Sequence, residues 1–356
     1  MKVFYLPGAY DGCYYYRGYL PGLYTKQSIM TGFKSNGYDE KELYKKCMEA
    51  DVIVVQRPNE PVRHGMAIEL KKRGKKIVFD NDDTYLPDKG VPLMMLKSDK
   101  QREVAVQMNN YLYDILAISD MAITTTEFLA DELRKINPNV VVLPNCIDPM
   151  DEEPRRENDT GKYRIGFIGS VASNDDYIHI KDDIRKLDER GDVTIVVFGI
   201  KQRTGIILGA YNEDHEFWSS LKNVEWQTYV PITEYYHTIA KLKLDLAIIP
   251  RKDSYFNRCK SNLKFLECSL LRIPVIAQGY DDGLSPYQVN PHDSDYMDVV
   301  MPDGNWYNRI VSLLEDKERR VKMANEAHDY VVRNYNIKNN ANKWQEAIKT
   351  IWKQEK

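Results

Sequence analysis

The sequence predicts two α/β domains, each a parallel sheet covered by helices on both faces. Three observations lead there. Short runs rich in Val and Ile alternate with longer helical patterns. Most of the runs are apolar and not alternating, as strands buried on both faces are. The alternation pauses once, at residues 148–162, and then restarts over a second half of similar size. Strand alternating with helix implies parallel strands joined by helical crossovers. Each half is therefore expected to be Rossmann-like.

In the first half the strand-like runs are 3–6, 52–56, 76–79, 121–124 and 140–143. Between them lie the helical patterns "DEKELYKKCMEA", "RHGMAIELKKRG", "KQREVAVQMNNYLYDILAIS" and "TTEFLADELRKI". The stretch "DPMDEEPRRENDTGK" is charged, poor in apolar residues and holds two prolines, which marks it as a linker. The second half has runs at 164–168, 193–198, 224–227, 244–250 and 273–277, each followed by a helical pattern, and the tail from about Asn305 reads as helix. No short-period repeat is visible.

The 356 residues suit two domains of ordinary size. With 43% hydrophobic and 29% charged residues the chain is of the globular class. A net charge of −3 provides no general attraction to polyanions, so any such site must be a local patch. Five scattered cysteines without a CxxC pair argue against a disulfide framework and a zinc site, and for a reducing compartment. The N-terminus lacks the apolar core of a signal peptide. No run reaches the ~18 apolar residues of a membrane span. A cytoplasmic location is expected.

Two such halves are expected to enclose a cleft, and ligands of open α/β sheets bind beyond the carboxyl ends of strands. After the first strand, "PGAYDGCYYYRGYLPG" has Gly8 and Gly12, where backbone can approach a ligand, and then Tyr16 and Arg17. Arg57 ends the next strand. "DNDDTYLPD" follows, with Asp80, Asp82 and Asp83 in four positions. Three readings stand for these acids: a helix cap in a solvated turn, a general base or hydroxyl contact toward an acceptor, or a divalent metal site. In the second half "IGFIGSVASNDD" makes a tight turn at Gly169 and Ser170, whose N–H groups could hold a phosphate. It does not meet the dinucleotide fingerprint, and Lys260–Ser261 lacks the glycine loop of a Walker motif. Lys201 and Arg203 follow another strand as a second possible anion contact.

The most telling stretch is "NRCKSNLKFLECSLLRIPVIAQG", residues 257–279. A helix is expected to start near Ser261, with Lys260 and Lys264 four apart on one face of that start. Such like charges suit an anion between them. Glu267, three further on, either pairs with Lys264 or accepts hydrogen bonds from a ribose diol.

With these residues in view, the chain resembles the GT-B glycosyltransferases of the large retaining family four. "VVVLPNCIDP", "VEWQTYVPITEYYHTIAKLKLDLAIIP" and the 257–279 stretch carry the resemblance, in order, over most of the chain. It implies a GT-B fold with domains at 1–147 and 163–335 and a C-terminal helix at 336–356 that packs back on the first domain. It implies that Glu267 binds the ribose of a sugar nucleotide. Lys260 and Lys264, with the helix start and the Gly169–Ser170 turn, would hold the diphosphate. Tyr229, Val230 and Pro231 would border the base, and Asn257, Ser261 and Asn262 would complete the donor set. Gly8, Gly12, Tyr16, Arg17, Arg57, Asp82 and Asp83 would face the acceptor or the transferred sugar. The family often has a glutamate eight residues before the ribose-binding one; here that position is Cys259, and the hinge has Cys146 where glycine is usual.

The reaction expected from the resemblance moves a hexose or pentose from a nucleoside diphosphate sugar, uridine before guanosine, to a hydroxyl, with retention. No cofactor or metal is expected, since lysines balance the leaving diphosphate. The acceptor is expected to be a glycan or surface polymer. One alternative is a hydroxymethylated base in DNA, because "YRGYLP" and "VVQRP" are similar to segments of phage glycosyltransferases. Alternatives of other classes are a non-catalytic sugar-nucleotide binder and a non-hydrolysing sugar-nucleotide epimerase.

Overall fold

The structure, a computed structural model, describes residues 1–26, 28–29, 39–84, 86, 98–169, 176–199, 216–288 and 296–353. The chain divides into two compact units. The first comprises Met1–Asp148, Cys259–Ser261 and Tyr335–Lys356; the second comprises Pro149–Arg258 and Asn262–Asn334.

The first unit is built on a parallel sheet of six strands: β1 (Val3–Leu6), β2 (Ser28–Ile29), β3 (Val52–Gln56), β4 (Lys76–Asp80), β5 (Met121–Thr124) and β6 (Val140–Val142). Their order is β2-β1-β3-β4-β5-β6. β1, β3 and β5 are buried along their whole length, as continuous apolar runs require when helices cover both faces. The helices start where the sequence supplies acceptors for free N–H groups. Glu60 caps Pro61–Lys72, Ser98 and Gln101 form a capping box on Asp99–Ile118, and Thr126 caps Glu127–Arg134. Phe4, Ile53, Val55, Ile77 and Phe79 from the strands pack with Leu112 and Leu116 in one core. The last helix, Ile337–Lys353, belongs to this unit, and Ile147 bridges to Asn336 beside it.

The second unit repeats the architecture with β7 (Tyr163–Ile168), β8 (Val193–Phe198), β9 (Val224–Gln227), β10 (Leu246–Ile249), β11 (Val275–Gln278) and β12 (Asp298–Val300). All strands are parallel, in the order β12-β11-β10-β7-β8-β9. Ile165, Phe167, Ile195, Val197 and Ile248 meet Trp218, Trp306 and Ile310 in its core.

Strand order reverses beside β1 in the first sheet, between β1 and β3, and beside β7 in the second, between β7 and β10. Such switch points leave a crevice at the carboxyl ends of the strands. β2 and β12 were not among the expected strands; at two and three residues they are too short to show a hydrophobic period. The expected linker is not a free tether. Arg155 donates to the carbonyls of Leu244 (2.6 Å) and Arg272 (3.0 Å), and the Arg156 N–H donates to Ala240, so this stretch packs on the second unit. Its charged composition reflects contacts with carbonyls and loops, not solvation alone.

Candidate functional site

In the second unit the carboxyl end of the sheet carries a three-membered polar cluster. The helix Leu263–Leu270 presents Lys264 and Glu267, and the helix Ile232–Lys241 presents Tyr235. Lys264 Nζ donates to Tyr235 Oη (2.7 Å) and to Glu267 Oε2 (2.8 Å). Tyr235 donates its hydroxyl to the same carboxylate oxygen at 2.7 Å. The Lys264 ammonium lies 4.9 Å from the centre of the Tyr235 ring, which stacks on Phe198. Glu267 is 3% exposed, so its carboxylate is held away from bulk water. Burial, together with the Glu267 charge, pushes the Tyr235 hydroxyl well above the ordinary range, which keeps it a donor.

Around this cluster the backbone is tightly turned. The Gly169 N–H donates to the Phe198 carbonyl at 3.0 Å, and Gly199 has φ of +83°. A Cβ at Gly199 would lie 2.3 Å from the Gly169 oxygen, so the approach of these two turns depends on glycine. Ser170, Lys201 and Arg203 lie outside the described residues. Tyr229 is 61% exposed, and Val230 leads to Pro231 at the N-cap of the helix that carries Tyr235. Asn257 is buried; its amide donates to Asp176 (2.7 Å) and to the Lys252 carbonyl (3.0 Å). That residue fixes its loop, with its side-chain N–H groups already engaged.

One expectation about the charged stretch is corrected. Asn262, not Ser261, is the N-cap of the helix, and Lys260 precedes it. Lys260 and Lys264 therefore do not share a helix face. Cys259–Ser261 instead clusters with the first unit. The Thr126 hydroxyl donates to the Cys259 carbonyl (3.1 Å), the Asn145 amide donates to Ser261 Oγ (2.9 Å), and Lys260 pairs with Asp83.

The first unit gathers its polar residues at the β1–β3 switch point. Gly8 follows β1, and a Cβ there would lie 2.5 Å from the Gln56 carbonyl oxygen and 2.7 Å from that of Arg57. Arg57 follows β3 in the left-handed region, φ +47°, an uncommon conformation for a residue with a Cβ. Its guanidinium donates to Asp82 (2.6 Å), Asp83 (3.4 Å) and the Cys13 sulfur (2.9 Å). Gly12 opens a helical turn capped by Asp11. Burial works to raise the Asp82 carboxyl, but Arg57 and Lys260 outweigh it and hold it down at about 2. A carboxylate so acidic is a poor general base near neutrality. Asp82 holds Arg57, and Asp83 holds both Arg57 and Lys260.

That depression has a sign for stability. The folded value lies below the ordinary one, so the stabilisation is complete above pH ~4 and is lost as pH falls toward about 2. Asp82→Asn is expected to remove this dependence, which is worth on the order of 2 kcal/mol. Urea unfolding of both proteins from pH 5 to pH 2 checks it; parallel curves would disprove the assignment.

Two acceptor-side expectations are corrected. Arg17 is fully buried and donates to both Asp80 carboxylate oxygens (3.1 and 2.8 Å), the Leu143 carbonyl (2.6 Å) and Asn145 Oδ1 (3.4 Å). Trp344 covers it at 5.5 Å. It braces the ends of β4 and β6 and is closed to an acceptor. Tyr16, at 2% exposure, is core. Asp80 is likewise spent on Arg17; burial raises its carboxyl despite that partner. Among the described residues no group of three or more His, Cys, Asp and Glu is placed to hold an ion.

Tyr235, Cys13 and Asn145 were not singled out in the sequence. Tyr235 had a legible signal, since "TEYYH" lies within a helix leading to the donor strand. Cys13 and Asn145 matter only through contacts distant in the chain.

Among the described residues no helix is long and apolar enough to cross a membrane. No family model matches the chain, and no curated protein matches it. Solved structures do. HepE from Anabaena, in complex with UDP-glucose, aligns over 98% of this chain and 100% of its own, with 13% identity and a TM-score of 0.66. A glycosyltransferase from Rickettsia africae aligns over 99% of this chain and 98% of its own, with 14% identity and a TM-score of 0.64. TarM aligns over 86% of this chain and 58% of its own, with 11% identity and a TM-score of 0.56. At these identities the likeness establishes the fold, which is GT-B, an α/β architecture of two Rossmann-like domains.

Proposed function

We propose that the protein is a glycosyltransferase that moves a sugar from a uridine diphosphate sugar to an acceptor hydroxyl. The observation that carries this reading is the Tyr235–Lys264–Glu267 cluster at the carboxyl end of the second sheet. It joins one cation, one buried carboxylate and one hydroxyl donor. A ribose diol would donate to Glu267, and Lys264, released from it, would turn to the diphosphate. The likeness to HepE, whose structure holds UDP-glucose, supports uridine as the base.

The chemistry follows from charge. Breaking the bond between the sugar and the diphosphate builds negative charge on the leaving oxygens. A preformed ammonium stabilises that charge most where water is excluded. Lys264 supplies it, with the N–H groups at the start of Leu263–Leu270 and the Gly169 turn beside it. In the first unit Arg57, Lys260, Asp82 and Asp83 form a neutralised polar cluster on the acceptor side, and Gly8 leaves room for backbone approach. Retention of configuration rests on the resemblance in sequence. A glycan or surface polymer is the acceptor class proposed.

Thermal shift against UDP, GDP, ADP, CMP and their common sugars tests the reading. A ligand at ~100 times its Kd should stabilise by about 2.7 kcal/mol. UDP and one UDP-sugar are expected to shift wild type and not Glu267→Ala. No shift from any nucleotide would reject it. A shift without transfer to glycans or hydroxymethylated DNA, and without free-sugar isomerisation, would favour the non-catalytic binder.

A further inference from the structure

The second unit has a cavity of about 650 Å³ at the amino end of its sheet, where β7 begins. It is lined by Arg155, Lys162, Tyr163, Arg272, Lys317 and Arg320, of which Arg272 pairs with Glu152 and Lys162 donates to Asn223. Glu157, Asp192 and Asp245 also line it. Two of these acids are already engaged. Asp192 is bound by both arms of Arg190 at 2.9 Å, and Asp245 accepts from the Arg164 N–H at 2.8 Å and from Asn158.

The arginines are the unusual feature. Arg155 is anchored by the neutral carbonyls of Leu244 and Arg272, and its Nε–H is buried without a hydrogen-bond partner among the described residues. Arg320 is 9% exposed, donates to the carbonyls of Leu313 and Leu314, and lies 5.7 Å over the Tyr163 ring. Among the described residues neither is hydrogen-bonded to a carboxylate. Burial lowers the Arg155 guanidinium; Asp245 opposes this, and the charge of Arg320 adds to it. Guanidinium stays charged under ordinary conditions, so two such groups near each other, each hydrogen-bonded to carbonyls, repel, and Asp245 and Glu157 offset this only through space. An oxyanion between them relieves that repulsion and uses the remaining N–H donors in the fork geometry that suits phosphate.

We propose that this cavity is a second ligand site, separate from the Tyr235–Lys264–Glu267 cluster, and that it binds a small phosphorylated molecule. The volume fits a compact metabolite. Lys317, exposed at the first position of Lys317–Asn334, and Lys162, before β7, add positive charge at its mouth. Phosphate is the shared recognition element, supplied either free or on a small organic molecule.

Isothermal titration calorimetry on the full chain tests it, with inorganic phosphate, pyrophosphate, a hexose monophosphate and, as a control, the unphosphorylated hexose. Saturable binding is expected for at least one phosphate compound and none for the hexose. Tighter binding of the hexose phosphate than of free phosphate would identify the organic ester as the ligand; the reverse would identify free phosphate. Arg155→Gln with Arg320→Gln is expected to weaken binding at least tenfold. Because Arg320 also ties a helix end, the surface variant Lys317→Glu is the second probe, with a several-fold loss expected in a normally folded protein. Lys264→Ala, which removes the cation of the donor cluster, is expected to leave phosphate binding unchanged. Absence of saturable binding in wild type, unchanged affinity in Lys317→Glu together with the arginine variants, or loss of binding in Lys264→Ala would each overturn the proposal.

Discussion

Lys264→Ala is expected to lower the rate of sugar transfer by about 10²–10³-fold, with little change in the KM for the acceptor. The ammonium lies in direct contact with both Glu267 and Tyr235. On the proposed reading, charge develops on the diphosphate as the bond breaks, so the lost interaction belongs mainly to the transition state and appears in kcat. Glu267→Gln keeps the shape and should act differently. It removes the charge that accepts the ribose diol, so the donor KM should rise by about 10-fold or more, the worth of a hydrogen bond to a charged group. Steady-state kinetics with UDP-sugar varied at fixed acceptor separates the two. Equal effects of both variants on donor KM, with kcat untouched, would mean that Lys264 contributes binding alone.

Arg17→Met is expected to destabilise the protein by about 3–5 kcal/mol. It leaves the Asp80 carboxylate, itself fully buried, without its partner. It also frees the Leu143 carbonyl, which Arg17 holds at 2.6 Å, and removes a contact to Asn145. Asn145 in turn bonds Ser261, next to Lys260. The loss should therefore reach the polar cluster of the first unit as well as the global fold. The double variant Arg17→Met with Asp80→Leu should recover a large part of the stability, because an uncompensated buried charge costs more than an apolar replacement of the pair. Urea unfolding of the three variants reads the coupling directly. A cost near zero for the single variant would show that water reaches Asp80.

How much of this was legible beforehand differs by feature. Among the described residues ten of the twelve strands stood out in the sequence, most of them as Val- and Ile-rich runs, because a strand covered on both faces is apolar along its length; β9, VEWQ, is the exception. The helix expected near Ser261 begins two residues later, at Leu263. Lys264 and Glu267 were legible as a pair because helix geometry places residues three apart on one face. Lys260 was misplaced by the same rule, since no local signal showed that Cys259–Ser261 leaves the helix before Asn262 caps the next.

By itself the sequence determined the α/β class and the two-fold repetition of the sheet, and it placed Lys264 and Glu267 on one helix face. These depend on periodicities of a few residues, which the chain carries locally. The tertiary structure alone decided that Arg17 is a buried brace, that Arg57 and Lys260 are tied to Asp82 and Asp83, and that Arg155 and Arg320 meet at one cavity. Each of those depends on residues tens to more than a hundred positions apart. An arginine has the same letter whether it faces a substrate, a carboxylate or another arginine. Its role is set by burial and by which charge the fold brings beside it.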